Sequence, residues 1–331
     1  MLAVVCPGQG SQTPGMLAPW LELPGTADLL DAFSAAAGTD LTQHGTTSDA
    51  DTIRDTAVAQ PLIVSTSLLA LRTILDGRPV TDVVDVTAGH SVGELSAAAV
   101  AGALDDAGAV GLVAHRARAM AEAAAARPSG MSAVVGGDPD EVLAAIEAAG
   151  LTPANVNGGG QVVAAGGHDE LAALAEQPPA RARVIPLQVA GAFHTSYMEP
   201  ARVAFAQVAE GWLATDPRLP LLSNADGASY DSLGAGSHGH GTAKDVLARL
   251  AAQVTAPVRW DLCQATLADR GVTALLELAP GGVLTGLAKR SLKGVESVAV
   301  KSPEDVEAAR DLIERHSDAA RAPRAAREAD A

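Results

Sequence analysis

Aromatic side chains are scarce in this chain: three phenylalanines, three tryptophans and two tyrosines among 331 residues. Hydrophobic residues still make up 48%, so alanine, valine and leucine must fill the core. Cysteine is confined to Cys6 and Cys263, with no metal-ligand spacing and no disulfide framework. No metal site is therefore expected, and a reducing cytoplasm is the expected compartment. Positive charge is also short, 23 Lys and Arg against 39 Asp and Glu, for a net charge of −16. That balance argues against nucleic acid, whose phosphates need a basic surface, but leaves room for a local basic patch. No apolar run approaches the roughly 20 residues of a membrane span, so no membrane is expected as a partner. The opening Met1-Leu2-Ala3-Val4-Val5-Cys6-Pro7 lacks a charged n-region and is too short for a signal sequence. The length suits one large domain with a smaller one inserted or appended.

What the chain does contain is organised around Gly89-His90-Ser91-Val92-Gly93-Glu94. Val83 to Thr87 before it is a β-branched run expected as a buried strand. Leu95 to Leu104 after it is rich in helix formers. A serine between two glycines at a strand-to-helix turn is the arrangement of a nucleophile elbow. The glycines permit a strained backbone, and the serine oxygen projects at the head of the helix, whose free N–H groups face any oxyanion formed there. By itself the pattern also fits a tight connection with an exposed serine.

In chain order, Leu2 to Cys6 reads as a first strand, followed by Pro7-Gly8-Gln9-Gly10-Ser11-Gln12. The glycines around Gln9 suit either an ordinary turn or a backbone donor aimed into a cavity. Residues 26–37, 57–76 and 106–126 are expected as helices. On the last, Val110, Val113, Ala117 and Met120 form an apolar stripe. Arg116 lies beside that stripe and, on this pattern alone, reads as solvated. Arg127-Pro128-Ser129-Gly130 then breaks the helix. From there to about residue 190 the order is β-α-β-β-α-β, the ferredoxin-like pattern. His194, in Gly191-Ala192-Phe193-His194-Thr195, is a candidate general base or a structural histidine. Residues 219–224 read as a strand, and 229–241 as a Gly/Ser-rich loop with His238 and His240 exposed. From Ser317 the tail offers nothing to bury and reads as disordered.

Taken together, these motifs resemble those of the malonyl-CoA:acyl-carrier-protein transacylases and the related acyltransferase domains of fatty-acid and polyketide synthases. The likeness rests on Pro7–Gln12, on Gly89–Glu94, and on Arg116 placed 25 residues past Ser91. It also rests on Ala154-Asn155-Val156-Asn157 with Gln161-Val162-Val163, on Gly191–Thr195, and on Gln253 with Pro257-Val258-Arg259-Trp260. Two departures are Ala279-Pro280-Gly281 where the family usually has Gly-Pro-Gly, and a longer Gly/Ser loop.

The resemblance implies an α/β fold: a large α/β-hydrolase-like subdomain, residues 1–124 and 191–316, with a small ferredoxin-like subdomain, 125–190, inserted. It implies Ser91 as nucleophile, His194 as its base, and the backbone carbonyl of Gln253 as the group orienting that histidine. The amides of Gln9 and Val92 would form the oxyanion hole. Arg116 would clamp the malonyl carboxylate, a role its planar fork suits better than lysine would. Phe193 would narrow the pocket in favour of malonyl over methylmalonyl, and His90 and Asn157 would stand close behind it.

The implied reaction is ping-pong transfer of malonyl from malonyl-CoA, through a malonyl-Ser91 ester, to the phosphopantetheine thiol of an acyl carrier protein. No resident cofactor is expected, since the phosphopantetheine is carried by the partner, and a monomer is expected. Arg116, Lys289, Arg290 and Lys293 are candidates for a basic surface that receives the acidic carrier. Alternatives are a stand-alone polyketide acyltransferase using other extender units, an editing acyl hydrolase, a patatin-like lipase, and a non-catalytic docking scaffold.

Overall fold

The structure, a computed structural model, describes residues 1–233 and 236–318. The first half lays down β1 (Leu2–Cys6), α1 (Thr26–Ala37), α2 (Leu41–Thr46), α3 (Thr56–Leu75), β2 (Val86–Gly89), α4 (Gly93–Val100) and α5 (Asp106–Ala126). Next come β3 (Gly130–Gly136), α6 (Pro139–Ala148), β4 (Thr152–Gly158), β5 (Gln161–Gly166), α7 (His168–Glu176) and β6 (Ala182–Pro186). The chain finishes with α8 (Glu199–Glu210), α9 (Ala243–Ala252), β7 (Val258–Arg259), α10 (Trp260–Asp269), β8 (Ala274–Glu277), α11 (Val283–Ser291), β9 (Glu296–Ala299) and α12 (Val306–His316).

These strands form two sheets. One is parallel, in the order β2-β1-β8-β9, with helices packed on it. β1 is central and buried along its whole length, as its uninterrupted Leu-Ala-Val-Val-Cys run requires of a strand covered on both faces. The second sheet has the order β6-β3-β5-β4-β7. Its first four strands are antiparallel and carry α6 and α7, over a separate core of Val134, Val142, Ile146, Leu151, Val162 and Leu171. β7 arrives from far along the chain and pairs parallel to β4, with Asn155 opposite Val258, so the smaller sheet is completed by residues of the later segment.

Several expectations need correction. The strand expected at Val83–Thr87 starts only at Val86 and runs through Gly89, because Val80–Asp82 forms a 3-10 turn. Residues 219–224 form no strand of their own; Leu221 bridges Thr87 and Leu222 bridges Ser229. Within 229–241, Tyr230 is buried at 1% exposure and His240 is half-buried, although His238 is exposed as expected. Asp216 anchors this segment, accepting from the Ser237 amide and hydroxyl and from the Ala243 amide. Gly234 and Ala235 lie outside the described residues.

The tail expected to be disordered begins in order: Ser317 is fully buried, and the Asp318 amide donates to Asp85 at 3.0 Å. Residues 319–331 lie outside the described part. One helix, α3, is in fact long and apolar enough to cross a membrane, contrary to the expectation that no such run exists. It is the core helix, with 83% of its apolar window buried inside the protein and Asp55 capping its N-terminus.

Candidate active site

Ser91 sits between β2 and α4 with φ of +53°, a left-handed conformation that costs a non-glycine residue about 1–3 kcal/mol. The two flanking glycines make this turn possible by close approach. A Cβ on Gly89 would stand 2.0 Å from the Gly93 carbonyl carbon, and one on Gly93 would stand 2.2 Å from the Cys6 carbonyl oxygen. The elbow therefore packs backbone to backbone against the end of β1, and the glycines have a steric reason that composition alone does not reveal.

His194 approaches from the loop before α8, and it too is left-handed, at φ +62°. Thr195 ties that loop by donating its hydroxyl to the Ala192 carbonyl, and Ser129 accepts from the Ala192 amide. The result is a Nε2 to Ser91 Oγ distance of 2.8 Å, with both groups buried. Nδ1 lies 3.0 Å from the Gln253 main-chain carbonyl and 3.0 Å from its side-chain nitrogen. Only one of these can be a hydrogen bond at a time. A proton on Nδ1 donated to the carbonyl leaves Nε2 free to accept from the serine hydroxyl, the tautomer a general base needs. Burial, reinforced by the Arg116 charge, pushes the His194 pKa down to about 3, so the imidazole is neutral at neutral pH.

Arg116 is not solvated, as the helical stripe suggested, but 1% exposed. Its Nη1 donates to Gln60 Oε1 at 2.7 Å, and its Nη2 to Gln253 Oε1 at 2.8 Å and toward Ser91 Oγ at 3.4 Å. All three partners are neutral. Burial lowers its pKa to about 10, a shift opposed by the nearby Glu94 carboxylate, and it remains a cation at neutral pH. Glu94 is itself buried and pushed up to about 8 by desolvation, and its hydrogen bond goes to the Asn224 amide rather than to the guanidinium. Burying a guanidinium without a paired carboxylate is expensive unless an anionic ligand completes the site.

Sequence reasoning missed three residues here. Gln60 is a buried amide on a mostly apolar helix whose other buried polar side chains are small hydroxyls, and it also reaches Gln9 Oε1 through its amide nitrogen at 3.3 Å. A lone buried glutamine amid apolar neighbours is the signal that was available. Asn224 contacts the elbow and Glu94 contacts Asn224, a link that no spacing could suggest.

A cleft of about 250 Å³ opens onto Ser91 and His194, and Gln9, Gln60, His90, Asn157 and Phe193 are among its lining residues. Among the described residues, neither the Gln9 nor the Val92 amide has a hydrogen-bond acceptor. Half-buried His90 hydrogen-bonds Asn157 Oδ1 through Nε2 at 2.8 Å, and Asn157 in turn donates to Gln161 at 2.8 Å. That link joins the elbow to the β4–β5 hairpin of the smaller sheet. Val283, Leu284 and Leu287 of α11 line the cleft too, while Lys289 and Arg290 on the same helix, and Lys293 just after it, are exposed. Arg116, grouped with these cations in the sequence reading, belongs to the interior, because its helix turns it toward Ser91.

The sequence profile of the acyl transferase domain matches residues 3–328. The malonyl CoA-acyl carrier protein transacylase of Mycobacterium tuberculosis (strain H37Rv) is 51% identical over 312 residues, covering 93% of this chain and 98% of that protein. The crystal structure of MCAT from Mycobacterium tuberculosis superposes with a TM-score of 0.85 at 50% identity, covering 93% of this chain and 99% of that one. A malonyl-transacylase solved in complex with its type II PKS acyl-carrier protein superposes with a TM-score of 0.84 at 30% identity, covering 94% and 99%. The two-sheet α/β architecture and the sequence thus agree that this chain belongs to the acyl transferase domain family.

Proposed function

We propose that the protein transfers a malonyl group from malonyl-CoA to the phosphopantetheine thiol of an acyl carrier protein, in fatty-acid or polyketide synthesis. The observation that carries this reading is Ser91 Oγ, 2.8 Å from a neutral histidine and 3.4 Å from a buried guanidinium that has no carboxylate partner. His194 Nε2 takes the Ser91 proton as Oγ attacks the thioester carbonyl. The oxyanion is received by the Gln9 and Val92 amides, each such donor being worth roughly 2.7–4 kcal/mol where one has been removed in other enzymes. His194, now protonated, gives its proton to the departing CoA thiolate. The same steps run in reverse with the carrier thiol as nucleophile, giving a ping-pong sequence.

Arg116 binds the free carboxylate of the malonyl group through its fork, which is why an acyl group bearing a carboxylate is selected. Phe193 narrows the pocket, favouring malonyl over methylmalonyl. Residues 1–124 with 191–316 serve as an α/β-hydrolase-like subdomain and 125–190 as a ferredoxin-like cover, the cleft between them shielding the ester from water. The exposed cations of α11 beside the cleft favour approach of an acidic carrier. The test is mass spectrometry of the intact protein after brief exposure to malonyl-CoA. A mass gain of one malonyl group is expected, lost in Ser91→Ala and discharged by holo carrier protein. An adduct that persists in Ser91→Ala would refute the assignment.

A further inference from the structure

The Ser91 amide is not free to serve as an oxyanion donor, because it donates to Asn224 Oδ1 at 2.7 Å. Asn224 Nδ2 donates in turn to the Gly89 carbonyl at 2.7 Å. One carboxamide therefore spans the elbow and bonds both ends of the Gly89-His90-Ser91 segment. Its orientation is forced, since an amide N–H can only donate and a carbonyl can only accept. Asn224 is fully buried, and its own backbone is held at both sides. Its amide donates to Glu94 Oε1 at 2.8 Å, and its carbonyl accepts from the Arg259 amide at 2.9 Å. Glu94 stands in the first turn of α4, the helix that begins at the nucleophile, so the brace closes on itself through the elbow.

We propose that Asn224, held by Glu94, is a positioning residue that clamps Ser91 in its left-handed conformation and thereby fixes the Oγ–Nε2 geometry. The inference rests on Ser91 being the nucleophile. Ser91 at φ +53° has no glycine's freedom, so something outside the turn must hold it there, and the Asn224 amide is bonded across that turn. Engaging the Ser91 N–H also leaves the oxyanion to the Val92 and Gln9 amides alone.

Asn224→Asp tests this, because the shape is kept while the Nδ2 donor to Gly89, with its weaker contact to Cys263 Sγ at 3.7 Å, is lost. Glu94 of α4 and Cys263 of α10 face this position, while His194 and Arg116 face Ser91 itself. A buried carboxyl there has a raised pKa and regains a donor on protonation. Single-turnover acylation by malonyl-CoA is expected to fall at least tenfold at pH 8 relative to the native protein, with KM within about twofold. The deficit should shrink as pH falls toward 6, a window in which His194 stays neutral in both proteins and the neighbouring Glu94 carboxyl, pushed up to about 8, also takes up its proton. A native acylation rate, or a deficit equal at every pH, would overturn the inference. Should the variant fail to fold, amide exchange in the native protein decides. The Ser91 amide must exchange far more slowly than that of Val92, and equal exchange overturns the brace. Ser91→Ala run alongside separates the two readings, since an adduct surviving there overturns the nucleophile itself.

Discussion

At the scale of single residues, the proposed chemistry depends on a cation kept available. Arg116 could have been paired with a carboxylate, but Gln60 and Gln253 present neutral oxygens to it at 2.7 and 2.8 Å. Replacing Gln60 by glutamate would set a carboxylate in that place and consume the charge. Gln60→Glu is therefore expected to lose malonyl transfer with little effect on acetyl transfer. Arg116→Ala should cost about 1.5–3 kcal/mol in malonyl kcat/KM, the value of hydrogen bonds to a charged group, which is roughly 10- to 150-fold. A panel of malonyl-, methylmalonyl- and acetyl-CoA reads both variants, and unchanged selectivity would count against the clamp.

His194 carries the pH prediction. Its folded pKa, about 3, lies below the ordinary histidine value near 6.5, so folding favours the neutral ring. Between those values the unfolded chain binds a proton that the native site refuses, and the histidine's contribution to stability is lost as pH falls through that window. The acid limb of single-turnover acylation should likewise lie well below pH 6. Arg116→Ala, which removes the largest of the causes after burial, should move it upward. A limb near 6.5 in the native protein would show that the ring is solvated.

At the scale of elements, the strand-turn-helix of β2 and α4 is held by backbone contact. Gly89→Ala forces a Cβ to within 2.0 Å of main-chain atoms that have no rotamer to move. The loss should reach or exceed the upper end of the roughly 1–3 kcal/mol typical of overpacking, seen as a thermal midpoint several degrees lower. A variant with unchanged melting would mean that the turn relaxes. This element was legible in the primary structure because both glycines and the serine lie within five residues. Its boundaries were not: the strand begins at Val86 rather than Val83, since the register with β1 starts with Val86 opposite Ala3. Leu219–Asn224 has the composition of a strand but makes only single bridges. Of β2, only Thr87 pairs with it, its amide donating to the Pro220 carbonyl and its carbonyl accepting from the Leu222 amide, and the last residue of the segment is turned to the elbow instead.

At the scale of the whole molecule, two sheets meet over the site and an acidic chain exposes a cluster of cations beside it. Lys289 and Arg290 are exposed on the last turn of α11 and Lys293 just after it, while Val283, Leu284 and Leu287 of the same helix line the cleft. Reversing Lys289 and Arg290 together to glutamate should reduce transfer to an acidic carrier at low ionic strength. Acylation by malonyl-CoA should keep its rate, and added salt should shrink the difference between variant and native protein. Equal loss in both half-reactions would place the effect inside the active site rather than on a docking surface. The smaller sheet is tied to the larger part by the parallel pairing of β7 on β4 and by the His90–Asn157 bond.

What the sequence determined by itself was a short set of candidates. Ser91 between glycines fits a nucleophile elbow, His194 after Phe193 fits a base or a structural histidine, and Arg116 stands out only through the family resemblance. Tertiary structure alone decided how those groups are held. Helical periodicity assigned Arg116 to water, because a stripe records only which face is apolar and not what a neighbouring helix offers to a charge. Gln60, Gln253 and Asn224 come from three separate segments, and their amides meet Arg116 and the elbow only after the chain has folded. Buried polar groups must find partners wherever the packing places them, and sequence distance does not predict those partners.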